Sequence, residues 1–154
     1  DGVAVINADD PYADLWRELG RQHSILSFGL TQPADVSASY LLLPFGSMLK
    51  LMTPQGETES EVALKLPGVH NVRNALAATA AALAAGASLD SVAAGLSDFA
   101  GIKGRLQRRQ AINGALLIDD SYNANPDSMR AAIEVLAALP GKKIFVLGDM
   151  GEVG

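Results

Sequence analysis

The sequence predicts an α/β fold: a mainly parallel sheet interrupted by an inserted antiparallel β-meander. Three observations carry this reading. Short apolar runs at 3–6 and 24–28 flank a segment of helical spacing. The middle of the chain is β-like and punctuated by "FG" and "PQG". The second half alternates Ala- and Leu-rich helical patterns with the strand-like runs "ALLI" and "KKIFVLG".

The elements follow in order. "VAVI", residues 3–6, has the length and apolarity of a buried strand. In "NADDP", Asp10 suits a helix N-cap and Pro11 the first helical position, where a missing N–H costs nothing. The helix in "YADLWRELG" then ends at Gly20, and "SILSF" completes a β-α-β opening. Strands are expected near 36–43, 47–53 and 59–66, joined by turns. From His70, "HNVRNALAATAAALAAG" is rich in the best helix formers and stops at Gly86. Ser88 caps a second helix, "LDSVAAGLSDF", with Asp90 in its first turn. A loop, "AGIKGRLQRR", leads to the strand "ALLI". The helix after Pro126 puts Met129, Ala132, Ile133, Leu136 and Leu139 on one face. "KKIFVLG" then closes a second β-α-β unit with a right-handed crossover.

The chain has 154 residues, 49% hydrophobic and 19% charged, enough for one cored domain. A net charge of −5 argues against sequence-independent nucleic-acid binding, which needs a basic footprint, but leaves room for a nucleotide. With no cysteine there is no thiol chemistry or disulfide, and His23 and His70 lie too far apart in sequence to suggest zinc. "NALAATAAALAAGA" is too short and too weakly apolar for a membrane span. The start lacks a basic leader. A strand at residue 3 and a stop just after another strand read as cut ends, so a fragment of a longer protein is expected.

Three clusters are candidates for chemistry. In "LLIDDSYNANPDSM" an apolar strand gives way to polar side chains at its carboxyl end, where ligands collect in open α/β sheets. Asp120 is a short anionic acceptor suited to paired sugar hydroxyls, whereas for Asp119 the plain alternative is that it flanks the strand. Asn123 and Asn125 both donate and accept, and Asn125 before Pro126 also has the position of an N-cap. In "GVHNVRNAL", His70 and Asn74 share a helix face, and a carboxamide matches the adenine edge bidentately. The alternative is that Asn71 is a cap and His70 a satisfied, partly buried histidine. In "GIKGRL", Gly104 frees the backbone for close approach and Arg105 suits a phosphate, although a solvated loop arginine is the commoner case. "NADDP" is explained mostly by capping. No G-x-x-x-x-G-K-[ST] occurs, so a self-sufficient ATPase site is missing from these residues.

The order "LPGVHNVRNALAA", "GIKGR", "LLIDDSYNANPDSM", "VLGDMGEVG" resembles the Mur ligase family, which makes amide bonds in bacterial peptidoglycan precursors. Within it, "DDSYNANPDSM" is most similar to the members that add D-alanyl-D-alanine. The resemblance implies the later part of a P-loop-type central ATPase domain over 1–142, and the start of a Rossmann-like C-terminal domain over 143–154. It places the P-loop, a magnesium-binding glutamate and a carbamylated lysine upstream, so the 154 residues alone are expected to be inactive. It implies ATP and Mg2+ as cofactors, and UDP-N-acetylmuramoyl-tripeptide and D-alanyl-D-alanine as substrates. It further implies a monomer of the bacterial cytoplasm, with no nucleic acid and no membrane span. By the same resemblance Asn74 contacts adenine with His70 and Asn71 beside it, and Arg105 approaches the phosphates as the catalytic cation. Asp120 holds the ribose, and Tyr122, Asn123 and Asn125 shape the loop near ATP. The alternatives are a sister ligase or a folylpolyglutamate synthase, against which "SYNAN" argues, and a non-catalytic nucleotide- or partner-binding module.

Overall fold

A computed structural model of the chain describes residues 2–59 and 61–151. Strands β1 (Val3–Asn7) and β2 (Ser24–Phe28) pair in parallel, Val3 opposite Ser24 and Asn7 opposite Phe28, with helix α1 (Ala13–Leu19) between them. Gly20 ends α1 as expected. Asp10 does not cap it. Its Oδ1 accepts the Tyr12 N–H at 2.7 Å, a local turn that leaves Pro11 outside the helix and Tyr12 at the N-cap. Short acidic side chains compete with helix in this way.

The inserted meander is antiparallel. Strand β4 (Gly46–Thr53) pairs with β3 (Ser37–Leu43) on one edge, and with β5 (Gly56–Glu57) and β6 (Val62–Leu64) on the other. Alternation along β4 buries Leu49 and Leu51 completely and leaves Lys50 in solvent. The strand expected over 59–66 shrinks to three residues, those opposite Ser47, Met48 and Leu49; position 60 lies outside the described residues. A bridge between Phe28 and Val36 ties the meander to the parallel pair.

Helices α2 (Val69–Ala84) and α3 (Leu89–Asp98) cover this sheet. Val72, Ala75, Leu76 and Ala80 of α2 meet Val36, Leu49, Leu51, Val62 and Leu64, with Leu89 and Val92 of α3 completing the core. The alanines let α2 come close to the strands. Gly86, at φ +90°, turns the chain between the helices, and Ser88 caps α3 by accepting the Ser91 N–H.

The last third departs from expectation in three places. The loop expected over 100–109 contains strand β7 (Gln107–Gln110), antiparallel to β8 (Leu116–Asp119). "QRRQ" is exposed at all four positions, so it has no apolar alternation to betray it. Helix α4 (Pro126–Ala138) buries Ala132 and Val135, followed by Leu139, but leaves Ile133 47% exposed; its inward face is rotated from the one expected. No strand forms over 142–150, whose Ile144, Phe145, Val146 and Leu147 are exposed. No described strand lies beside them to take up their backbone groups, so the second β-α-β unit is not closed. Residues 152–154 of the expected C-terminal segment lie outside the described residues.

Candidate functional site

A cavity of about 480 Å³ opens where the first turns of α2, the end of α3, the 102–106 loop, the end of β8 and the start of α4 meet. Its walls are largely apolar: Leu64, Leu66, Ala75, Leu96, Phe99 and Ile102 are among them. Into it come His70, Asn71, Asn74, Arg105 and Asp120, from sequence positions fifty residues apart. Tyr122, Asn123 and Asn125 do not line it.

The α2 side is built by its entry. Gly68 is the N-cap, at φ +92° and ψ +146°, a conformation that side chains avoid. A Cβ there would stand 2.7 Å from His70 Cε1 and 2.9 Å from Nδ1, so glycine is what lets the imidazole fold back against the entry turn. Asn71 is therefore not a cap. Its Nδ2 donates to the Pro67 carbonyl at 2.7 Å and to His70 Nε2 at 3.0 Å. Burial pushes the His70 pKa below its ordinary 6.5; the carboxylates of Asp120 and Glu134 pull it up, and Arg73 pushes it down. Asn74, a turn further on, is exposed, and its side chain makes no hydrogen bond among the described residues.

The opposite side is two loops locked together. Gly104, buried at φ +74°, accepts the Tyr122 N–H at 2.9 Å. A Cβ on it would sit 3.2 Å from that nitrogen. Asp120 Oδ1 accepts the Leu106 N–H at 3.0 Å and holds Leu106 at φ +47°. The Arg105 guanidinium lies 4.5 Å above the Tyr122 ring and has no carboxylate partner among the described residues. Tyr122 thus touches the cavity only through Arg105, a cation–π contact that steadies a long side chain.

The remaining polar residues have local duties. Asn125 and Ser128 form a reciprocal capping box at the start of α4, with Ser128 N to Asn125 Oδ1 at 2.8 Å and Asn125 N to Ser128 Oγ at 3.0 Å. Asn123 Oδ1 accepts the Ala124 N–H. Asp119 takes Ser121 and Arg109; the Ser121 hydroxyl and amide hold its carboxyl below the usual range.

Two features carry little signal in the sequence. The apolar walls Phe99 and Ile102, 42% and 52% exposed, carried a hint only as large hydrophobics, Phe99 just before "GIKGR" and Ile102 within it. Asp9 is the busier acid of "NADDP": its carboxylate accepts from Leu30 N, Thr31 N, Thr31 Oγ1 and Gln32 N. Partial burial raises its pKa, but these bonds outweigh it and bring it to about 2. It clamps the loop after β2 and lies outside the cavity.

Chemically, the cavity offers apolar walls for a flat heterocycle, carboxamides for its edge, a carboxylate for paired hydroxyls and a free guanidinium for an anion. Among the described residues no group of three or more His, Cys, Asp or Glu is placed to hold a metal ion. Among the described residues no helix is long and apolar enough to cross a membrane.

Comparison with known proteins finds the same family along the chain. A family model described as Mur ligase middle domain matches residues 1–82, and one described as Mur ligase, glutamate ligase domain matches 104–154. The UDP-N-acetylmuramoyl-tripeptide–D-alanyl-D-alanine ligase of Escherichia coli K12 is 40% identical over 156 aligned positions, spanning 100% of this chain and 34% of the relative. A crystal structure of MurF from Acinetobacter baumannii superposes with a TM-score of 0.91 at 46% identity, covering 99% of this chain and 33% of that one. The MurF ligase of Thermotoga maritima in complex with ADP superposes at 0.77 with 28% identity, over 99% and 34%. The chain spans about a third of the length of the relatives it matches.

Proposed function

The chain belongs to the Mur ligase family, and from that premise we propose that the intact protein is an ATP-dependent amide-bond ligase of peptidoglycan precursor synthesis. It joins D-alanyl-D-alanine to UDP-N-acetylmuramoyl-tripeptide. The observation that carries this reading is the convergence of His70, Asn71, Asn74, Arg105 and Asp120 on one apolar cavity. The named relatives in E. coli and A. baumannii support the choice of substrates. The ADP complex of the T. maritima relative supports the nucleotide.

In this reading the cavity takes the nucleoside end of ATP. The base lies between the apolar walls with Asn71 and Asn74 at its edge, and Asp120 accepts from the ribose hydroxyls. Arg105, free of any described carboxylate, reaches the phosphates and offsets charge as the γ-phosphoryl group transfers. The tripeptide carboxylate attacks the γ-phosphorus, ADP leaves, and an acyl phosphate forms. The amino group of D-alanyl-D-alanine then attacks the acyl carbon, and the tetrahedral adduct expels phosphate to leave the amide. Magnesium belongs to such a reaction, but the described residues do not fit a magnesium site.

We place the boundary between central and C-terminal domains at 142–143. Supporting it, α4 still packs on the cavity through Ala132, and the residues described after 141 form no element, although the second family match begins at 104. We also assign the intact protein to the bacterial cytoplasm, as a monomer.

The test is an assay of the intact protein with UDP-N-acetylmuramoyl-tripeptide, magnesium and ATP. Phosphate release should depend on added D-alanyl-D-alanine. Release that depends instead on a single amino acid identifies a sister ligase and overturns the assignment.

A further inference from the structure

We propose that His70 is a positioning residue. By taking the second amide proton of Asn71, it leaves that carboxamide purely an acceptor toward the cavity. The site thereby favours a purine with an exocyclic amino group over one with a carbonyl in its place. This rests on the nucleotide reading above.

The orientation of Asn71 follows from its partners. The Pro67 carbonyl only accepts, so the atom 2.7 Å from it is the amide nitrogen. The second proton on that nitrogen points at His70 Nε2, 3.0 Å away. Both donors of the carboxamide are therefore engaged within the entry turn of α2. Oδ1 has no hydrogen bond among the described residues, and no buried side-chain nitrogen or oxygen among them lacks a partner. Oδ1 is thus open, on a residue that lines the cavity.

His70 accepts only as a neutral ring protonated at Nδ1. Burial favours that form, with Arg73 acting in the same direction and Asp120 and Glu134 against it. The ring keeps its place because Gly68 has no side chain to displace it. An acceptor-only carboxamide meets the amino group of adenine with a hydrogen bond. It meets a carbonyl at that position lone pair to lone pair, leaving two acceptors without a proton between them.

The experiment measures equilibrium dissociation constants of ATP and ITP for the intact protein, wild type, His70→Phe and His70→Gln, with melting temperatures alongside. ITP replaces the amino group by a carbonyl. Wild type should favour ATP by about tenfold, the scale of one hydrogen bond. In His70→Phe one amide proton of Asn71 is released to the cavity, and the preference should fall to about threefold or less. In His70→Gln the side-chain oxygen reaches the place of Nε2, and the preference should return. A folded His70→Phe that keeps the wild-type ratio overturns the proposal, as does a folded His70→Gln that loses it; the latter decides if His70→Phe does not fold. Wild type binding both nucleotides equally overturns this proposal alone. Wild type binding neither overturns the nucleotide reading with it.

Discussion

Asp120 divides its work between two oxygens. Oδ1 holds the Leu106 amide, while Oδ2 has no partner among the described residues and is the oxygen left for a ligand. Asp120→Asn keeps an oxygen for Leu106 and removes the charge. On the proposed nucleotide reading a charge-assisted bond to ribose is lost, at a cost of roughly 1.5–3 kcal/mol, so the Michaelis constant for ATP in the intact protein should rise about ten- to a hundredfold with little change in melting temperature. Early melting with normal ATP use would make Asp120 a loop clamp and nothing more. Asn125 should behave oppositely. Its carboxamide is engaged by Ser128 and lies outside the cavity. Asn125→Ala should destabilise by about 1 kcal/mol and leave the ATP constant within about twofold. A large ATP defect without a stability loss would return Asn125 to the site.

At the scale of elements, α4 shows how packing chooses among faces that spacing alone leaves equivalent. Ile133 and Val135 are both apolar, yet Val135 is 7% and Ile133 47% exposed. Val135→Ala should destabilise the 154-residue chain by about 1–3 kcal/mol, and Ile133→Ala by less than about 0.5 kcal/mol, measured by denaturant unfolding. Reversed values would mean that α4 sits rotated about its axis. The loop after β2 depends on one ionised group. Asp9 has a folded pKa of about 2 against an ordinary 3.8. A depressed carboxyl contributes its stability fully above the unfolded value and loses it as pH falls through the folded one. The amides of Leu30, Thr31 and Gln32 should therefore lose hydrogen-exchange protection between about pH 4 and pH 2. In Asp9→Asn they should be weakly protected at neutral pH and change little across that window. Protection in that variant equal to wild type would show that the loop is held by other means.

For the whole molecule, the question is how much of a nucleotide the 154 residues can hold. On the proposed nucleotide reading the cavity supplies groups for base and ribose, but the sequence has no Gly-rich phosphate cradle, and Arg105 is the one phosphate-suited cation among the lining residues. Adenosine and ATP should then bind the isolated chain within about tenfold of each other, both far more weakly than ATP binds the intact protein. Calorimetric titration of the chain with each checks this. Affinity for ATP matching the intact protein would mean that these residues cradle the triphosphate after all.

Local chemistry was legible in the sequence because it is decided within a few residues. Ser88 and Asn125 cap helices, Gly86 turns the chain after α2, and the β-meander follows its turn residues. The motif order also named His70, Asn71, Asn74, Arg105 and Asp120. What tertiary structure alone decided was which groups remain free once their neighbours are satisfied. Tyr122 lies under Arg105 and outside the cavity, and Asn123 accepts the N–H of the neighbouring Ala124. Asp9 clamps a loop more than twenty residues away. "QRRQ" is a strand because β8 lies beside it, whereas the apolar 144–147 run is not, having no described neighbour to pair with. Strand pairing and hydrogen-bond satisfaction are long-range conditions, and periodicity carries no record of them.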